Sequence, residues 1–389
     1  MGTPLILCVT FLMVFLSLRV FCVRTEATRE IFRELVIVSI PFMAGVYVGV
    51  SGLDLMTDEL MVQTLPLLEF SLGFQGLYWG LFFGFRDIRY FDVNIKRFAA
   101  LHSFFMFTGI LAASYILLYL AHFPAWEILI GGIYLTLALT QISSASLLFL
   151  KKFRKHSSSF AFLFKTVSGL SGLFTIILFG ILSPMGISTS MPHFVLNLLA
   201  QVLIALVTGS LVYMGIKKVN QGEGILIWLL SLLLINSGMS YFFGFNPLLI
   251  NLVSGMVISS GGFRKQQIQD TLKPLVRPVI LFLLFYTGLS LKLHPWLTPA
   301  IVPGLILLRF ILNRWSFRRF FTKQVMQVEE IRPILTSLIP LGVLTPAIAV
   351  HLHLISSSVY SGIISGGLGL AYIAGYALMI LLIQWEVHR

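Results

Sequence analysis

The sequence is short of charge. Asp, Glu, Lys and Arg together make up 11% of its 389 residues, where a soluble globular domain carries about 25%. So few charges cannot solvate the surface of a chain this long, which excludes a water-soluble enzyme. With 57% hydrophobic residues a disordered or fibrous chain is excluded as well. Cysteine is scarcer still: Cys8 and Cys22, both in the first apolar stretch, make neither a disulfide framework nor a metal cluster. No Lys or Arg precedes Arg19, so that stretch lacks the basic start of a signal peptide and reads as a retained helix. No HExxH, P-loop or dinucleotide glycine pattern stands in a usable context, and the residues call for no cofactor and no metal. What is abundant is apolar surface, with a mean hydropathy of +0.94. The chain reads as an all-α, multi-spanning integral membrane protein, with the lipid bilayer as its main solvent.

The apolar residues fall into runs that suit a hydrocarbon core needing roughly 20 helical residues per crossing. Thirteen segments separate at polar breaks: 4–23, 35–50, 66–85, 98–121, 125–150, 159–182, 194–216, 224–243, 246–260, 274–291, 297–313, 333–350 and 356–384. They are continuous runs and not ten-residue alternations, which argues against a transmembrane barrel. The net charge of +12 is a topology signal, and nucleic acid is not the expected partner. Basic residues collect in alternate loops: Arg24, Arg29 and Arg33; Arg86, Arg89, Lys96 and Arg97; Lys151, Lys152, Arg154 and Lys155; Lys217 and Lys218; Arg264, Lys265 and Lys273; and Arg314, Arg318, Arg319, Lys323 and Arg332. The intervening loops hold Asp54, Asp58, Glu59 and Glu127, with Lys292 as their one basic residue. Because basic loops stay on the cytoplasmic side, this predicts thirteen crossings with the N-terminus outside and the C-terminus inside.

Segments two and nine share a glycine-centred stretch, Phe42 to Gly49 and Leu252 to Ser259, and cross in opposite directions. Segments five and twelve are each interrupted near the middle, by Thr140-Gln141-Ile142-Ser143-Ser144 and by Pro340, Gly342, Thr345 and Pro346. Matching interruptions in two halves point to a transporter binding site, although a pair of kinked helices would look the same. Few ionisable groups fall inside the segments, where each costs roughly 2.5–3.5 kcal/mol on insertion scales. Arg309 lies deep in segment eleven, set either to meet a partner within the protein or to snorkel to the nearer surface. Glu69 lies near the outer end of segment three and reads as an end carboxylate. His351 and His353 read as solvated caps of segment twelve, and Lys165 and Arg277 as interfacial anchors. Segment six holds no carboxylate; its centre runs Thr166-Val167-Ser168-Gly169-Leu170-Ser171-Gly172-Leu173-Phe174-Thr175.

Taken in order, these features resemble the cation/proton antiporter superfamily, the sodium/proton exchangers, over nearly the whole chain. The residues that carry the resemblance are Gly49, Gly52 and Leu53; Asn246-Pro247-Leu248-Leu249 through Gly255; Phe285-Tyr286-Thr287-Gly288-Leu289-Ser290-Leu291; Leu338-Ile339-Pro340-Leu341-Gly342-Val343-Leu344; and Thr140 to Ser144. The resemblance implies an inverted-repeat fold of about 13 transmembrane helices with two broken, crossed helices. It further implies core helices in 94–190 and 296–389, scaffold and dimer helices in 1–93 and 223–295, and a linking helix in 191–222. In that family an aspartate on helix six carries the proton or cation, and a basic residue on helix eleven is its partner. Arg309 matches the basic position. The aspartate positions fall on Ser171 and Gly172, one turn beyond Ser168, and a serine does not titrate at working pH. The transport-site residues carried over are Thr140, Gln141, Ser143, Ser144, Ser168, Ser171, Gly172, Arg309, Pro340 and Thr345, with Glu69 as the carboxylate available within an apolar segment.

Three functions compete. The first is a secondary transporter working by alternating access, a homodimer in a bacterial inner membrane, moving a monovalent cation against protons, or an anion, through a site without the usual aspartate. The second is a transport-inactive relative retained as a sensor or assembly subunit. The third is an intramembrane serine protease, because Gly169-Leu170-Ser171-Gly172 fits a GxSG pattern; the histidines are far off in the chain, and an enzyme is not expected.

Overall fold

The computed structural model describes residues 26–49, 52–53, 58–141, 158–182, 191–219, 222–292, 297–320, 341–342, 344–355 and 359–387. Segment one, at 4–23, lies outside them. The described residues form thirteen helices and no strand: α1 (Glu26–Val48), α2 (Asp58–Phe82), α3 (Phe85–Tyr90), α4 (Val93–Leu120), α5 (Ala125–Thr140), α6 (Ser158–Leu182), α7 (Met191–Lys217), α8 (Gly222–Phe243), α9 (Pro247–Ser260), α10 (Lys265–Leu289), α11 (Leu297–Phe320), α12 (Thr345–Ile355) and α13 (Val359–Val387). Helix follows from the solvent: without water, each backbone N–H and C=O needs a partner inside the segment. Five stretches are long and apolar enough to cross a bilayer by length and composition: Val93–Leu120, His193–Lys217, Gly222–Phe243, Lys265–Leu289 and Tyr360–Leu381. The all-helical membrane class expected from the charge deficit is therefore what the structure shows.

The chain divides into two compact units. The second contains residues 57–92 and 173–283, and α2 packed against α9 is its centre. The two backbones touch because glycines line the contact. A Cβ added to Gly76 or Gly80 would run into the carbonyls of Leu248 and Leu252, and one on Gly255 would sit 2.7 Å from the Leu77 carbonyl. Between helices in lipid, where apolar burial gives no drive, such close van der Waals contact and buried polar bonds hold the pair. Asn236 of α8 donates through Nδ2 to Asn251 Oδ1 and Ser254 Oγ, both at 3.1 Å, and Ser254 donates to the Ala205 carbonyl of α7 at 3.0 Å. Asn246 caps α9, its Oδ1 accepting from Leu249 N at 3.1 Å, with Pro247 at the first helical position. Phe74, Leu77, Leu81, Ile216, Leu229 and Leu233 fill the apolar core. At one end, Asp87 of α3 accepts from Gly84 N and pairs with Lys265.

The first unit contains residues 1–56, 93–172 and 284–389. Here α1 packs on α13 and on the last turns of α10. The fully buried Phe42 ring lies against Gly369, and Gly45 and Gly288 meet the opposing carbonyls of Phe285 and Phe42. Ser290 and Ser365 hydroxyls bond at 2.9 Å beside this contact. α4 packs against α11 through Gly109 on Leu312 and through Phe105 stacked on Trp315 at 4.6 Å between centroids. α5 lies against α4 and α12, and α12 against α13. This packing brings the broken ends of segments five and twelve together.

Gly255→Val should lower the thermal unfolding temperature of the detergent-purified protein, by the equivalent of about 1–3 kcal/mol, because the new side chain meets backbone. Gly238→Ala, whose Cβ would meet nothing within 4 Å, should be neutral or slightly stabilising, since Gly in a helix costs roughly 0.5–1 kcal/mol relative to Ala. Equal effects of the two would refute the glycine-contact account.

Candidate functional site

Segment five stops being helical at Thr140, and Gln141 turns to an extended conformation at φ −69°, ψ 141°. The last four carbonyls of any helix lack intrahelical partners, and inside a membrane no bulk water replaces them. Here three other segments supply donors. Thr345 of α12 donates through Oγ1 to the Ala138 carbonyl at 3.1 Å. Ser171 of α6 donates to the Thr140 carbonyl at 3.3 Å. The Arg309 guanidinium of α11 donates through Nη2 to the Gln141 carbonyl. Arg309 is 1% exposed, so it does not snorkel; its charge sits at the partially negative carboxyl end of α5, where a cation is favoured. Within α5, Thr136 and Thr140 turn their hydroxyls back to Gly132 and Thr136 carbonyls at 2.6 and 2.7 Å, which loosens the helix just ahead of its end.

The described part of segment twelve has a non-helical stretch that meets this one. Leu341 and Gly342 are non-helical, and α12 starts only at Thr345, with Pro346 in its first turn. Leu344 N donates to Gln141 Oε1 at 3.2 Å, and Thr345 N to the Gly342 carbonyl at 3.0 Å. Gly342 is required by proximity, because a Cβ there would collide with the Gln141 side chain. Gln141 is thus shared by both breaks: its backbone carbonyl takes Arg309 and its side-chain oxygen takes the start of α12.

Of the residues expected at the site, the structure brings together Thr140, Gln141, Ser171, Arg309 and Thr345. Ser168 and Gly172 are buried on α6 beside Ser171. Ser143, Ser144 and Pro340 lie outside the described residues. Glu69 belongs to α2 in the second unit, where its backbone carbonyl accepts from Ser237 Oγ at 3.3 Å; its side chain is only partly buried.

The sequence reading missed a polar stripe on α11. Arg309, Asn313 and Ser316 recur at helical spacing and are all buried. Ser316 Oγ lies 2.7 Å from His102 Nδ1 of α4. The period shared by Arg309, Asn313 and Ser316 was the available signal. His351 and His353, expected as solvated caps, are 7% and 8% exposed; the Tyr134 hydroxyl lies 2.9 Å from His351 Nδ1, and the two rings stack. The reason is that both α5 and α13 pack against α12. Among the described residues no group of three His, Cys, Asp or Glu could hold a metal ion.

No protein-family model matches this chain, and no curated protein matches it. Among solved structures it is similar to the sodium proton antiporter MjNhaP1 from Methanocaldococcus jannaschii. The match has 14% identity and a TM-score of 0.61, and covers 99% of this chain and 97% of that one. At that identity the likeness concerns the fold, and the chain has the antiporter-like fold that its sequence resemblance implied.

Removing single donors at the α5 end should destabilise in the order Arg309→Met, then Thr345→Val, then Ser171→Ala. The first leaves a buried carbonyl without its charged donor, at about 1–3 kcal/mol, and the neutral donors contribute about 1 kcal/mol or less each. Thermal unfolding of the purified variants measures this. Arg309→Met with unchanged stability would show that its bond to Gln141 does not support the break.

Proposed function

We propose that the chain is a secondary-active membrane transporter that works by alternating access, with the paired breaks of segments five and twelve as its substrate site and a monovalent ion, coupled to protons, as its cargo. The observation that carries this is the position of Arg309. A buried arginine is among the most expensive groups to place in a membrane, and this one sits at the broken end of α5, against the start of α12. A solely structural helix pair would need neither the break nor the charge; a transporter needs a polar, reorganisable centre at mid-membrane. The antiporter-like fold supports the same reading. On it, helices in 94–190 and 296–389 move as the core, those in 1–93 and 223–295 form the scaffold and a homodimer contact, 191–222 links them, and segments two and nine are related as parts of an inverted repeat. The alternate basic loops support an orientation with the N-terminus outside and the C-terminus inside, and the membrane on this reading is a bacterial inner membrane.

Ser171 separates this site from ordinary exchange. A carboxylate there would let proton and cation compete for one charge, whereas the serine hydroxyl donates to the Thr140 carbonyl. The same observation favours a second reading, a transport-inactive antiporter-fold protein that serves as a sensor or assembly subunit. A protease is the weakest reading, because Ser171 is engaged with a carbonyl and His351 with Tyr134.

Purified protein in proteoliposomes with an internal pH dye should show proton-coupled flux with at least one of sodium, potassium, lithium or a common anion. Arg309→Ala should lower that flux at least tenfold at equal protein content. Absence of flux with every ion across a range of pH would exclude the transporter reading. A partner protein retained in mild detergent would then support the subunit reading.

A further inference from the structure

The donors and acceptors at the crossing of the two breaks are unevenly matched. The carbonyls of Ala138, Thr140 and Gln141, the natural ligands for a bare cation, already accept from Thr345, Ser171 and Arg309. Among the described residues, Gln141 is left with an unmatched donor. Gln141 is 1% exposed, and its Nε2 has no hydrogen-bond partner among the described residues. The orientation of that amide is fixed by chemistry, since its oxygen must face the Leu344 N–H that it accepts at 3.2 Å; the NH2 group therefore takes the other side. Asn313, 1% exposed and one turn beyond Arg309 on the same face of α11, likewise has both amide atoms without a partner among the described residues. Next to Gln141, the amino-terminal end of the 11-residue α12 brings the partial positive charge of its dipole, and the carboxyl end of α5 a partial negative one. The guanidinium of Arg309 supplies a full positive charge at the Gln141 backbone carbonyl.

We propose that this crossing binds a small monovalent anion, no larger than chloride or formate, between the Gln141 Nε2 amide and the Arg309 guanidinium, beside the start of α12. The proposal rests on the reading of the crossing as the transport site, and it names the substrate class for that site. Against the aspartate that the family resemblance implies at Ser171, keeping the arginine without that negative charge would shift the pair from balanced to positive. An anion is desolvated into positive potential, whereas a sodium or potassium ion would meet the like charge of Arg309 at close range, in a medium that screens it weakly.

The test reads binding and transport separately on the full-length protein. Thermal unfolding in detergent is followed with choline chloride, choline formate, sodium gluconate and potassium gluconate. A ligand that binds only the folded state raises the unfolding temperature with its concentration, so the choline salts of chloride or formate should raise it and the gluconates should not. Gln141→Glu keeps the size of the side chain and an oxygen for Leu344 N, and should weaken the chloride effect at least tenfold. Stabilisation by sodium or potassium gluconate without any by choline chloride overturns the anion site. So does a chloride effect that persists in Gln141→Glu, which would mark binding elsewhere on the surface. Proteoliposome flux then separates the two proposals. Anion stabilisation without anion flux leaves the binding site standing and refutes transport; cation flux without anion stabilisation does the reverse.

Discussion

Everything at the centre of this molecule follows from one constraint: a helix that ends inside a membrane leaves carbonyls that no water can reach. α5 ends at Thr140 in the middle of an apolar segment. Its terminal carbonyls would be costly to leave bare in lipid. Donors from three other segments reach the Ala138, Thr140 and Gln141 carbonyls, and the proposed transport site is built on the same side chains. Structure and function are therefore not separable here. The arginine that closes the break also sets the sign of its potential, and the glutamine that follows the break ties it to the opening of α12.

Such a centre needs a frame that holds several helices to within a few tenths of an ångström. In lipid the hydrophobic effect does not supply it, so close contact does. Each unit solves this with glycines where backbones meet: Gly76, Gly80 and Gly255 between α2 and α9, and Gly45, Gly288 and Gly369 around Phe42. The second unit adds buried Asn and Ser bonds around α9, whose 14 residues span only about 21 Å. A helix that short is viable at mid-membrane because protein, and not lipid, surrounds it. The unevenness at the crossing in the first unit has a different character. There the Gln141 Nε2 donor beside the Arg309 charge is what the proposal of an anion rests on.

Much of this was legible beforehand. A charge in a continuous apolar run is conspicuous, so Arg309 stood out from its neighbours alone. Gly342, Thr345 and Pro346 marked a helix break because they cannot all sit comfortably inside one. The loops announced the segments because lysine and arginine are confined to one side. Less legible was the fate of His351 and His353. Near the end of an apolar run a histidine looks solvated, and only the packing of α5 and α13 against α12 shows it buried. His102 was missed for a related reason, as it follows the basic residues of a loop by a few positions and looks interfacial until Ser316 is seen opposite it.

The sequence by itself determined the class of solvent, the places of most described segments though not their bounds, the non-helical stretches at Gln141 and Gly342, and the absence of a carboxylate from segment six. These depend on composition and local order, which one-dimensional reading captures. It could not determine which donor meets which carbonyl. Ser171, Arg309 and Thr345 act on residues 31, 168 and 207 positions away, and such distances are closed only by packing. Whether Arg309 turned outward to the membrane surface or inward to Gln141 was likewise undecided by its position in the helix. The tertiary structure decided it, because packing of α11 against α4, α5 and α13 puts that face inside, where a carbonyl and not water is the group within reach.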